Sequence, residues 1–76
     1  MPHFQIKILE GKSQEQKERL TKEIIQAAQK VFGMGNESYS VSIEEFSLDE
    51  WRNDVYPNSI MSNKEILIKE PGYSFD

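Results

Sequence analysis

Two alternating runs flank one long amphipathic stretch, and that order narrows the folds open to this chain more than any other feature. Within residues 2–9, Phe4, Ile6 and Ile8 fall on one side and His3, Gln5 and Lys7 on the other. A two-residue period of this kind predicts a strand. Leu9, on the otherwise polar side, predicts that this face is partly covered too. Gly11 supplies a turn. Ser13 and Gln16 have capping-box spacing, in which each side chain satisfies the other's backbone N–H at a helix start. From about Gln14 to Phe32, Leu20, Ile24, Ala27, Ala28 and Val31 recur at helical spacing, and Ile25 and Phe32 widen the stripe. Glu15, Lys17, Glu18, Lys22 and Gln26 read as a solvated outer face. Gly33 and Gly35 end the segment, since a left-handed residue costs glycine little. The expected helix covers residues 13–33. Tyr39, Val41 and Ile43 then alternate with Ser40, Ser42 and Glu44, which predicts a second strand.

Strand, helix and strand make a β-α-β unit, whose right-handed crossover sets the two strands parallel. Two parallel strands do not stand alone, because a parallel sheet needs both faces covered and further strands to pair with. With 76 residues and no cysteine, the chain has a small core and no disulfide or thiolate metal site to staple it. The expectation is one domain over residues 1–76, of the α+β class, with its sheet completed by oligomerisation. Pockets in small oligomers commonly lie between subunits.

The last thirty residues differ in character. Ser47-Leu48-Asp49-Glu50 is a second capping box, opening a short helix that carries Trp51 and Val55. Pro57-Asn58 is expected to interrupt it. Ile60, Lys64, Leu67 and Ile68 suggest another helical stretch, closed by Glu70-Pro71-Gly72, with Tyr73, Ser74 and Phe75 as an extended tail.

Composition removes several function classes. A net charge of −4, with nine scattered basic residues, argues against nucleic acid as a partner. No apolar run approaches membrane-spanning length, and the start is too polar for a secretory signal, so a cytoplasmic protein without membrane contact is expected. His3 is the only imidazole, which leaves no nucleophile triad and no expected metal site. Gly33-Met34-Gly35 ends a helix and does not open one, so it offers no cradle of N–H groups to a phosphate.

What remains is Met1-Pro2, directly ahead of the first strand. Trimming the methionine leaves Pro2 with a free secondary amine, which is a base and a nucleophile. An α-amino group titrates near ~8 when solvated. Apolar burial or a nearby cation disfavours its charged form and brings it towards the range in which a general base works best. The plainer alternative is a proline that only protects an N-terminus.

The block Gln5-Ile6-Lys7-Ile8-Leu9-Glu10-Gly11-Lys12-Ser13, followed by Glu15-Gln16-Lys17-Glu18, resembles the opening of the 4-oxalocrotonate tautomerase family. Ser38 to Phe46 is similar to that family's second strand. Trp51, Tyr56 and Ile60, with Leu67-Ile68-Lys69-Glu70-Pro71-Gly72-Tyr73-Ser74, resemble a longer, dimeric subgroup active on phenylpyruvate-type enols. The resemblance implies a β-α-β tautomerase fold and an enzyme, an isomerase that interconverts the keto and enol forms of small 2-oxo acids without a cofactor. It implies Pro2 as the catalytic base after Met1 removal. Lys12 stands where the type member binds a substrate carboxylate with arginine, and keeps the charge without the two-pronged fork. Ser40 replaces a second arginine that polarises the substrate carbonyl, so it offers one hydrogen bond and no charge. Trp51 takes the place of an aromatic that lines and dries the pocket. Lys12 also reads as a solvated turn lysine, Ser40 as a plain strand serine, and Trp51 as core or interface. The longer tail suits a cap over a homodimer better than a surface for hexamer stacking. Two rivals stay open: a proline-dependent hydratase or decarboxylase, and a non-catalytic dimeric module.

Overall fold

A computed structural model describes Met1–Phe75. The chain forms two compact units, one of Met1–Glu45 and one that begins at Phe46.

In the first unit β1 (His3–Leu9) leads into α1 (Gln14–Phe32), and a single 3₁₀ turn at Asn36–Ser38 delivers the chain to β2, Ser40–Phe46. β1 and β2 are neighbours in a two-stranded sheet. His3 meets Ser40 and Lys7 meets Glu44, each pair 37 positions apart. Partner numbers rise together along the two strands, which is the parallel register. The expected β-α-β unit is therefore present.

Local chemistry explains where α1 begins and ends. The Ser13 hydroxyl accepts from the Gln16 N–H at 3.1 Å, and the Gln16 side chain accepts from the Ser13 N–H at 2.9 Å. At the other end Gly33 takes φ 78°, and its N–H reaches the Gln29 carbonyl at 2.8 Å. A left-handed residue at that place favours glycine and closes the helix. Ser13→Ala removes the acceptor and is expected to cost about 1 kcal/mol of stability. In a thermal melt that loss lowers the Tm by about 4–8 °C.

The packed face of α1 is narrower than its apolar stripe. Its first half lies over Ile8, Val41 and Ile43. Ala28 is buried and Ile24 and Ile25 are half-buried, but Leu20 and Phe32 are exposed and Val31 is 77% exposed. The reason is width. Two strands about 4.8 Å apart make a floor about as broad as one helix, so they cannot cover a stripe that wraps further round the cylinder. Lys17 also departs from the sequence reading. It is half-buried and not on a solvated face, and its Nζ lies 2.7 Å from Glu45 Oε1.

The second unit opens with the second capping box, in which Ser47 and Glu50 exchange hydrogen bonds of 2.8 and 3.1 Å. The short α2 (Leu48–Glu50) then widens into a π-helical run, Trp51–Ile60, followed by a 3₁₀ segment, Met61–Ile66. Pro57-Asn58 does not interrupt the helix as expected. Proline lacks the N–H of an α-helical ladder and clashes with the carbonyl four residues back. Here the turns open to five-residue spacing, with the Met61 N–H on the Tyr56 carbonyl, and the chain continues past Pro57. Val55, 1% exposed, is the most deeply buried apolar residue. The expected helical stretch through Leu67 and Ile68 stops earlier, because Leu67 is already extended and Ile68 is 99% exposed. No helix among the described residues is long and apolar enough to cross a membrane.

Candidate active site

Pro2 is half-buried at the foot of β1, and its carbonyl accepts from the Ser40 N–H at 3.2 Å. That bond extends the sheet by one rung beyond His3, so Pro2 is anchored and its nitrogen marks the end of the ladder. Ser40, the first residue of β2, therefore shares a rung with Pro2. Two of the residues singled out in the sequence are brought together in this way.

Alternation places His3 on the sheet face opposite Phe4, together with Ser40 and Ser42. His3 Nδ1 lies 2.6 Å from Ser40 Oγ, and its Nε2 lies 3.4 Å from Ser42 Oγ. The imidazole thus spans two hydroxyls of the neighbouring strand. Further along this face Lys7 Nζ pairs with Glu44 Oε1 at 3.0 Å. Sequence reasoning noticed His3 as the sole imidazole but left its partners unknown. The signal was present in the parallel register, which sets residue 3 against residue 40 once both strands are assigned.

Lys12 is elsewhere. It follows the Gly11 turn, where φ is 108°, at the far end of β1 from Pro2. Seven strand residues at about 3.3 Å each put more than ~20 Å between the two ends. Lys12 rims an open depression of about 170 Å³ with Ile8, Gln16, Lys17 and Leu20. A lysine beside an apolar floor with free approach suits an anionic group bearing a short hydrocarbon. Within one chain, Pro2 and Lys12 are too far apart to touch one small molecule.

Trp51 belongs to the second unit. It is half-buried, its indole N–H donates to the Tyr73 hydroxyl at 3.0 Å, and its ring meets Phe46 edge-on at 6.2 Å. Tyr56, Tyr73 and Phe75 pack mutually with ring centroids 5.2–5.8 Å apart. The Arg52 guanidinium lies 5.3 Å from the centre of the Phe75 ring. Edge-on ring contacts and a cation over a ring face each contribute about 0.5–1.5 kcal/mol. The tail from Tyr73 to Phe75 is thus folded onto its own helix. Among the described residues no group of histidine, cysteine, aspartate or glutamate side chains is arranged to hold a metal ion.

The chain is similar to known proteins in sequence and in fold. Residues 2–58 fit the family model described as tautomerase enzyme. A probable tautomerase of Xylella fastidiosa is 36% identical over 73 residues, covering 96% of this chain and 89% of the relative. Tautomerase PptA of Pectobacterium carotovorum is 33% identical over 76 residues, covering 99% and 100%. The crystal structure of YwhB, a homologue of 4-oxalocrotonate tautomerase, superposes with a TM-score of 0.60 at 35% identity. That superposition covers 63% of this chain and 79% of YwhB. A family match that starts at Pro2 and runs through both strands, with relatives aligned almost end to end, makes this chain a member of the tautomerase family of isomerases, in the PptA-like subgroup.

Proposed function

We propose that the protein is a keto–enol tautomerase for the enols and dienols of small 2-oxo acids, with the Pro2 nitrogen as its general base once Met1 is removed. The observation that carries this reading is the anchoring of Pro2 at the foot of β1 by the Ser40 N–H. A freed amine there sits at the end of a hydrogen-bonded ladder with a defined direction, where a loose terminus would have none. Holding a base in place against a bound carbon acid is what makes proton transfer efficient. The reaction moves a proton between oxygen and carbon and asks for no cofactor. The test is direct: protein shown by mass spectrometry to begin at Pro2 is given phenylenolpyruvate or 2-hydroxymuconate, and loss of the enol absorbance is followed. Turnover above the buffer rate is expected; none would refute the reading.

We further propose that the working form is a homodimer with shared sites. Each strand of the two-stranded sheet has one edge without a neighbouring strand among the described residues. A two-fold axis setting β1 antiparallel to β1 of a second copy carries the Gly11 turn of that copy to the foot of β1. It thereby joins Lys12 of the second copy to Pro2, across a distance that one chain cannot close. The exposed Leu20, Val31 and Phe32 then have further protein to pack against. Sedimentation equilibrium is expected to report about 18 kDa, twice the 8.9 kDa of one chain. A stable monomer would remove the shared site.

A further inference from the structure

The contact between Ser40 and His3 can run in either direction, and the tautomer of the imidazole decides what Ser40 can do. Ser40 Oγ and His3 Nδ1 lie 2.6 Å apart, within hydrogen-bond reach in either direction. With the imidazole proton on Nε2, Ser40 donates to a bare Nδ1, and this is the tautomer that a relay requires. In that tautomer the Nε2 proton faces Ser42 Oγ at 3.4 Å. A serine whose proton is committed in this way meets an enol as an acceptor. What it shows to solvent is lone pairs, with a proton acceptor behind them.

On this basis we propose that Ser40 and His3 form a proton relay that takes the proton from the enol oxygen while Pro2 serves the carbon. The proposal rests on the tautomerase reading and refines it. In ketonisation the enol O–H bond breaks as its proton passes to Ser40 Oγ. The Ser40 proton moves in the same step to His3 Nδ1, and Nε2–H of the resulting imidazolium points at Ser42. The oxygen lone pair becomes the carbonyl, and the C=C pair takes a proton from the Pro2 ammonium, forming C–H. One proton has moved from Pro2 to His3, and exchange with water restores both. In the enolising direction the same steps run backwards, with Pro2 as base at carbon. The other ionisable side chains on this sheet face, Lys7 and Glu44, are paired with each other at 3.0 Å. His3 stands on the rung next to Pro2, while that pair lies further along the strands.

His3 is the only histidine in the chain, so its ring nitrogens can be observed without ambiguity. In uniformly ¹⁵N-labelled mature protein at neutral pH, long-range ¹H–¹⁵N correlation is expected to show a protonated Nε2 and a bare Nδ1. A protonated Nδ1 with a bare Nε2 overturns the relay whatever the activity. Kinetics supplies the second arm. His3→Asn offers Ser40 an acceptor for its hydrogen bond but cannot take up the proton. Ser40→Ala and His3→Asn are each expected to lower kcat for phenylenolpyruvate at least about tenfold, with KM within about twofold. The double variant is expected to be no slower than the slower single, because the two residues act as one path. An active wild type alongside a fully active His3→Asn, or a double variant whose losses multiply, overturns the relay alone. A wild type without turnover overturns the tautomerase reading and the relay with it.

Discussion

Pro2→Ala is expected to slow ketonisation by at least about tenfold, which is roughly 1.4 kcal/mol or more of barrier. The loss is large because Pro2 is the group assigned to the reacting carbon, and partial because trimmed Pro2→Ala still begins with a primary amine. The pyrrolidine ring makes the nitrogen secondary and locks rotation about its N–Cα bond, so the lone pair has a set direction relative to the backbone that the Ser40 N–H anchors. Alanine frees that torsion and spreads the amine over several directions. The check is steady-state ketonisation by both proteins after mass spectrometry has established that each has lost Met1. Equal rates would take Pro2 out of the mechanism.

Lys12→Ala is expected to raise KM for an anionic enol by about fivefold to tenfold and to lower kcat by less. A hydrogen bond to a charged group contributes about 1.5–3 kcal/mol, and the exposed position of Lys12 trims that value. The ion pair is made equally in ground and transition states, so its loss falls on KM. The effect is expected to shrink with added salt, and to shrink again on an uncharged enol. Charged and uncharged substrates suffering alike would mean that Lys12 acts through the fold. Mixing Lys12→Ala with Pro2→Ala adds a separate readout of sharing. A hybrid dimer retains one site with both intact residues, so the mixture is expected to recover activity that neither variant has alone.

The first forty-six residues were legible because short-range chemistry and periodicity agree there. Ser13 with Gln16 marked the helix start, Gly33 its end, and strict alternation the two strands. The parallel register then followed from the crossover. Lys17 was misread because helical spacing cannot show that a β2 carboxylate, Glu45, lies beside the first turns of α1. Pro57 was misread for a related reason: proline excludes an α-helical hydrogen bond, but sequence alone does not reveal that the turns widen to carry the chain onward. In the candidate site, Pro2 and Ser40 were legible as positions, and Lys12 as a charge beside a glycine turn. The distance from Pro2 to Lys12 and the pairing of His3 with Ser40 become legible only once both strands and their register are assigned. Both arise from strand length and from which side chains share a face.

Met1 has a bearing on how such a protein is switched on. It is fully exposed, at 103% of its reference area, and its amino group approaches only the Met34 sulfur, at 4.0 Å. Its removal gives up almost nothing that holds the fold together. On the proposed reading, with Pro2 as the base, the untrimmed chain is a precursor silenced by one amide bond. If so, specific activity is expected to follow the fraction processed, as mass spectrometry reports it. Melting temperature is expected to stay nearly constant across such preparations, because Met1 is exposed and makes one long contact.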